Sequence, residues 1–266
     1  MTRTSAATTP AGRDTERATG APARATGSPA APYVAEGLAT FLLVAIGPGA
    51  AMVAASTHAF GQVGIALAFA LAVTLGITAF GDTSGAHMNP AVTLGLWAAG
   101  RFPLGRALPY IAVQCAAAVA AAAVLRWVLG PVANLGATVP ALPVAQSFAV
   151  EAGFSALLGV VIASVASRRE RGDAGPFAIG AAVGVGALVA GPLTGGSFNP
   201  ARSFGPAVVS GVWTAHWLYW AAPIAGITAA MLGYEALTRS RLPRLSIRAP
   251  SSRSAESGSG RSSSRS

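Results

Sequence analysis

The residue pattern with the clearest chemical potential is a repeated one: Asn89-Pro90-Ala91 and Asn199-Pro200-Ala201, each preceded by a carboxylate in an otherwise apolar stretch. Glu36 stands 53 positions before Asn89, and Glu151 stands 48 before Asn199. Asparagine is a strong helix N-cap, and proline suits the next position, where no backbone donor is needed. Each triplet therefore specifies a helix start. If each Asn oxygen caps its own helix, the amide hydrogens remain free to donate into an enclosed space. The Gly-rich approaches, Gly85-Ala86-His87 and Gly195-Gly196-Ser197, are expected to be extended and to present carbonyl acceptors. Arg202 follows the second triplet, and a charge in apolar surroundings is a functional candidate by default. Its bland alternative is a structural ion pair.

These residues need elements to hold them. The 266-residue chain is 53% hydrophobic and only 10% charged, with a mean hydropathy of +0.56. A soluble domain carries charge on about a quarter of its residues. Six stretches, roughly 33–55, 62–80, 107–128, 144–166, 176–193 and 213–236, approach or exceed the ~17–25 residues that cross a bilayer. The apolar runs after Asn89 and Asn199 end near Ala99 and Val212, the second interrupted by Gly205-Pro206. They read as re-entrant half-helices. The reading is thus an all-α membrane protein with six transmembrane helices and two half-helices.

The formal net charge of +9 comes from Arg alone. A basic balance can indicate nucleic acid, but the distribution argues against it. With six spans and the N-terminus in the cytoplasm, 16 of the 18 Arg fall on the cytoplasmic side. That asymmetry predicts a multi-pass cell-membrane protein with both termini cytoplasmic. Residues 1–31 lack the apolar core of a cleavable signal and read as a disordered tail; 239–266 read as a second, basic one. Between them lies one domain, 32–238, with halves at about 32–130 and 144–238. Three spans per half make the second half enter from the opposite side, an inverted repeat whose triplets meet. Two helix N-termini then face each other, each with a partial positive charge. A narrow lumen of carbonyl acceptors and central amide donors suits small uncharged molecules and penalises cations and protons.

These motifs resemble the aquaporin, or major intrinsic protein, family. The resemblance rests on Ser84-Gly85-Ala86-His87-x-Asn89-Pro90-Ala91-Val92-Thr93 and on the run from Asn199 to Ala207, and it spans about residues 33–237. It implies a homotetramer with one pore per subunit, embedded in lipid. It also implies a selectivity filter of Phe69, Ala187, Gly196 and Arg202. The strict water-channel pattern has His where this chain has Ala187, and a small or thiol residue where it has Gly196. That departure implies a wider, more apolar filter that admits water and solutes such as glycerol, ammonia or hydrogen peroxide. Ser203, Ala207 and the pair Tyr219-Trp220 instead resemble water-channel members.

Glu36 and Glu151 are expected to accept hydrogen bonds from their own half's loop, and His87 to stabilise its loop or to sense pH. Gly180, Gly184, Gly186 and Gly226 are expected to let helices approach closely. Tyr33, Trp213, Trp217, Tyr219 and Trp220 suit an interfacial belt. A lone Cys115 allows no intrachain disulfide, and His58 and His216 lack metal-ligand spacing. No catalytic residue, metal or cofactor is implied. One alternative is a facilitator of glycerol or other small solutes with little role for water; the other is an ion-coupled secondary transporter, which shares the inverted repeat and broken helices.

Overall fold

A computed structural model describes residues 28–167 and 174–239. Six long helices form: α1 (Ala31–Thr57), α2 (Gly61–Ser84), α4 (Leu104–Leu129), α5 (Val144–Ser167), α6 (Ala174–Thr194) and α8 (Leu218–Arg239). Two short ones, α3 (Pro90–Ala98) and α7 (Pro200–Ser210), start at the Asn-Pro-Ala triplets. Five of the long helices are long and apolar enough to cross a membrane. The sixth, α8, starts at Leu218 rather than near 213 and carries Tyr219, Trp220, Pro223, Tyr234 and Glu235. Its apolar side is nonetheless buried, with Leu218, Ala222, Ile227 and Met231 at most 1% exposed. Most of the two expected tails, and Arg168, Arg169 and Arg171, lie outside the described residues.

The packing repeats between the halves. Helix α1 lies against α2 and α4 as α5 lies against α6 and α8, and α2 meets α6 across the seam. The half-helices are exchanged: α3 packs on α8, and α7 packs on α4. This is the inverted repeat, and it places both triplets near the middle of the bundle.

Glycine sets the spacing of these contacts. Six positions after each Asn stands a glycine, Gly95 or Gly205, on the face toward the other half. A Cβ on Gly205 would lie 2.4 Å from the Ala118 carbonyl of α4, and one on Gly95 would lie 2.7 Å from Ile227 Cγ2 of α8. Gly205-Pro206 interrupts the apolar run after Asn199, yet α7 continues through both residues. The pair is a contact point rather than a break. Gly180 and Gly184 seat α6 on α2, where an added Cβ would meet Thr74 Oγ1 at 2.1 Å and Ala70 Cβ at 2.8 Å. Gly226 seats α8 on α5, 2.2 Å from the Ala152 carbonyl. Gly186 differs: it makes room for the Phe198 ring of a loop, at 2.7 Å.

Gly205→Ala presses a methyl against backbone that cannot swing away, a strain of about 1–3 kcal/mol. Gly95→Ala meets the Ile227 γ-methyl at 2.7 Å and the Met231 sulfur at 2.9 Å, with backbone no nearer than 3.7 Å. The apparent unfolding midpoint in detergent is expected to fall further for Gly205→Ala; the reverse order would show that α7 is not rigidly seated on α4.

Candidate functional site

Glu36 and Glu151 are fully buried, one on α1 and one on α5. Glu36 Oε2 accepts from the His87 N–H at 3.1 Å, and Oε1 accepts from the Met88 N–H. Glu151 Oε1 accepts from the Ser197 N–H, and Oε2 from the Phe198 N–H, each at 2.9 Å. Each carboxylate thus pairs the two N–H groups just before the Asn in its own half.

The approaches are not simply extended. Met88 and Phe198 both sit at φ +52°, in the left-handed region where a side chain is strained. Their carbonyls supply the reason. Asn89 Nδ2 donates to the Phe198 carbonyl at 2.8 Å, and Asn199 Nδ2 donates to the Met88 carbonyl at 2.7 Å. Meanwhile Asn89 Oδ1 caps the Ala91 N–H at 2.9 Å, and Asn199 Oδ1 caps the Ala201 N–H at 3.0 Å. The expectation of free amide hydrogens is corrected here: one of the two on each Asn ties the opposite loop, which leaves one for the lumen.

A second matched pair escaped the sequence reading. Tyr110 of α4 donates to the Ser84 carbonyl at 3.0 Å, and Tyr219 of α8 donates to the Thr194 carbonyl at 2.6 Å. Both tyrosines are fully buried, so Tyr219 is no part of an interfacial belt. Tyr33 edges onto Tyr110, and Trp220 donates to His216; Trp213 and Trp217 are the exposed members of that set. The signal was present, since Tyr110 follows Asn89 by 21 positions and Tyr219 follows Asn199 by 20.

Beyond this frame the halves diverge. In the first, Gln114 Nε2 donates to Glu36 Oε1 at 2.8 Å and to Thr93 Oγ1 at 3.0 Å, and His87 Nδ1 lies 3.1 Å from the same hydroxyl. The His87 ring stands edge-on to Phe102 at 4.7 Å. In the second, Thr194 donates to Glu151 at 2.7 Å, and Ser203 links Ser197 at 2.5 Å to Thr138 at 2.9 Å.

Both Asn residues, His87, Phe69, Ala187, Gly196 and Arg202 line one cavity of about 1500 Å³. Arg202 is 4% exposed. Its Nη1 donates to the Gly136 carbonyl at 2.7 Å, and its guanidinium carbon stands 5.0 Å from the Phe69 ring centre. Among the described residues no carboxylate lies within ion-pair distance of it. The carbonyl comes from a 3-10 turn (Val132–Gly136) in which Ala133, Asn134 and Leu135 all have positive φ. Phe69 in turn is seated on Gly47 of α1, where a Cβ would lie 2.3 Å from its ring. Cys115 is a half-buried free thiol, and among the described residues no group of three His, Cys, Asp or Glu could hold a metal.

The family model described as major intrinsic protein matches residues 26–234. The chain belongs to that family. It is 44% identical over 204 residues to Aquaporin TIP4-3 of Zea mays, covering 74% of this chain and 82% of the relative. It is 43% identical over 204 residues to Aquaporin NIP1-4 of Oryza sativa subsp. japonica, covering 76% and 75%. The X-ray structure of the aquaglyceroporin from Plasmodium falciparum superposes with a TM-score of 0.74 at 23% identity, covering 79% of this chain and 97% of that one. That likeness is one of fold.

The frame sets an order of severity. Glu151→Ala strands the buried Ser197 and Phe198 N–H groups, at about 1–3 kcal/mol for each, while the Thr194 hydroxyl keeps the Ala190 carbonyl. Tyr219→Phe removes one bond, worth about 1 kcal/mol. Unfolding midpoints in detergent are expected to fall far more for Glu151→Ala, and equal losses would count against the carboxylate as the anchor.

Proposed function

We propose that this major intrinsic protein is a passive channel for water and other small uncharged solutes, with glycerol, ammonia and hydrogen peroxide as candidates, and that it refuses ions and protons. The observation that carries the reading is the convergence of Asn89 and Asn199, each capping a helix N-terminus, on one cavity. Two N-termini bring about half a positive charge each to the level of the cavity where Asn89 and Asn199 meet. A neutral solute meets the spare amide hydrogen of each Asn as a donor. A cation meets the same field without compensation, and Arg202 adds a full charge nearby. Relatives named as aquaporins support the channel class.

Size selection is assigned to Phe69, Ala187, Gly196 and Arg202. With a methyl at 187 and no side chain at 196, half of this ring is nearly bare, which favours passage of solutes larger than water. Glu36, Glu151 and His87 are assigned to holding the loops in shape. The protein is placed in a cell membrane with both termini cytoplasmic, because 16 of its 18 Arg then lie inside. It is assigned a homotetrameric assembly by analogy with its family. The outward row Val63, Leu67, Leu71 and Leu75 on α2 is 46–69% exposed and suits lipid or a neighbouring subunit.

Stopped-flow swelling of proteoliposomes tests the channel directly. Water and glycerol fluxes are expected above those of empty vesicles, linear in gradient and indifferent to Na⁺ or pH gradients; ion-coupled, saturable uptake would instead indicate a transporter. Ala187→His is expected to cut glycerol flux about tenfold more than water flux, the scale of a few atoms in a tight pocket. Equal losses would remove position 187 from the size limit.

A further inference from the structure

The seam between α2 and α6 holds a side chain that the filter's own four residues do not account for. Gln62 stands at the outer start of α2, two turns and about 10 Å from Phe69 on the same helix face. Its Nε2 donates to the Ala187 carbonyl at 2.6 Å. The bond crosses from the helix that bears Phe69 to the backbone of the residue that faces it in the lumen. It has a dedicated space. A Cβ on Gly191, one turn beyond Ala187, would lie 2.3 Å from Gln62 Nε2, 3.3 Å from Cδ and 3.5 Å from Oε1. All three of its nearest neighbours are therefore in the Gln62 amide.

The fourth wall leans on the same spot. Gly196 has φ +56°, and a Cβ there would lie 3.2 Å from the Gly191 Cα and N and 3.5 Å from the Ala187 Cα. The re-entrant loop thus rests on the α6 backbone at the two residues that Gln62 bonds and covers. Further inward the seam is closed by direct contact of Gly180 and Gly184 with Thr74 and Ala70. At Gly191, near the filter, the neighbour from α2 is instead the far end of the Gln62 side chain. Pro192 also sits in this last stretch of α6 and cannot donate to the carbonyl of Leu188.

We propose that Gln62 is a positioning residue for size selection: its bond to the Ala187 carbonyl clamps the outer end of the α2–α6 seam and so sets the width of the filter. The inference rests on the channel reading above and deepens it. Without the clamp the outer ends of α2 and α6 can part, Ala187 and Gly196 move with α6, and the opening gains width on the side away from Arg202. Larger solutes gain more than water, because water already fits.

The test compares glycerol-to-water and erythritol-to-water flux ratios in proteoliposomes for the parent, Gln62→Ala, Gly191→Ala and the double variant. Gln62→Ala is expected to raise both ratios about threefold, the scale of one net hydrogen bond. Gly191→Ala expels the Gln62 amide from its space and is expected to do the same. In the double variant the second change is expected to add nothing, since the bond is already lost and the space is open. A variant that only folds less well lowers all fluxes together and leaves the ratios alone. Ratios unchanged or lowered in Gln62→Ala, or a Gly191→Ala effect that persists in full without Gln62, would overturn the proposal. Parent vesicles that pass neither water nor glycerol would sink the channel reading and this inference with it, whereas a conducting parent with unresponsive variants removes the inference alone.

Discussion

In an apolar bundle, a stretch of backbone that is neither helix nor sheet must pair its N–H and C=O groups with protein or turn them to a watery cavity, because lipid supplies no partner. The peptide groups at Met88 and Phe198 meet that demand in both directions. Their N–H groups go to the carboxylate of their own half, and their carbonyls go to the amide of the other half's Asn. Held at both ends, two residues with side chains stay in the left-handed region. Every other feature of the lumen follows from this arrangement. The carboxylates must be buried on α1 and α5, the tyrosines must reach the Ser84 and Thr194 carbonyls, and the half-helices must lie close enough for their caps to cross.

The crossing also explains why each half-helix is packed on the other half's long helix. An Asn that caps its own helix and also reaches the opposite loop needs the two N-termini within hydrogen-bond reach of each other's approach segments. Gly95 and Gly205 permit that closeness by removing a side chain where α3 meets α8 and α7 meets α4. The frame is symmetric, whereas its lining is not. Toward one end His87, Thr93 and Gln114 form a neutral chain; toward the other Thr138, Ser197 and Ser203 brace the approach beside Arg202. The bracing matters because Arg202 is held by the Gly136 carbonyl and the Phe69 ring, and among the described residues no carboxylate stands within ion-pair distance of it. A cation held by dipoles keeps its field in the cavity, and that field is what a permeating ion would have to overcome.

Several positions were misread for identifiable reasons. Tyr219 looked interfacial because it neighbours Trp217 and Trp220 near a span end, and only packing reveals that it points inward to a carbonyl. Gly205-Pro206 looked like an interruption of the apolar run, and only packing reveals that Gly205 is where α7 meets Ala118 of α4. The approaches looked extended because glycine allows that as readily as a left-handed turn. Gln62 gave no signal at all: a lone polar residue at a helix start is ordinary, and its partner lies 125 positions away.

Sequence by itself determined what is local or repeated. Asn before Pro starts a helix wherever it stands, long apolar runs demand helices, and a Glu repeated at a similar distance before each triplet marks a common scaffold. Those rules were enough for the all-helical, two-half architecture and for the meeting of Asn89 and Asn199, whereas Phe69, Ala187 and Gly196 were named only through the resemblance to a family. Tertiary structure decided what depends on direction and distance between the halves: that each Asn spends one hydrogen on the opposite loop, that Arg202 faces a carbonyl and a ring rather than a carboxylate, and that a glycine opposite Gln62 admits its amide to the Ala187 backbone. The physical reason is that hydrogen bonds select geometry within a few tenths of an ångström, and no pattern of residue types along a chain carries that information for groups a hundred residues apart.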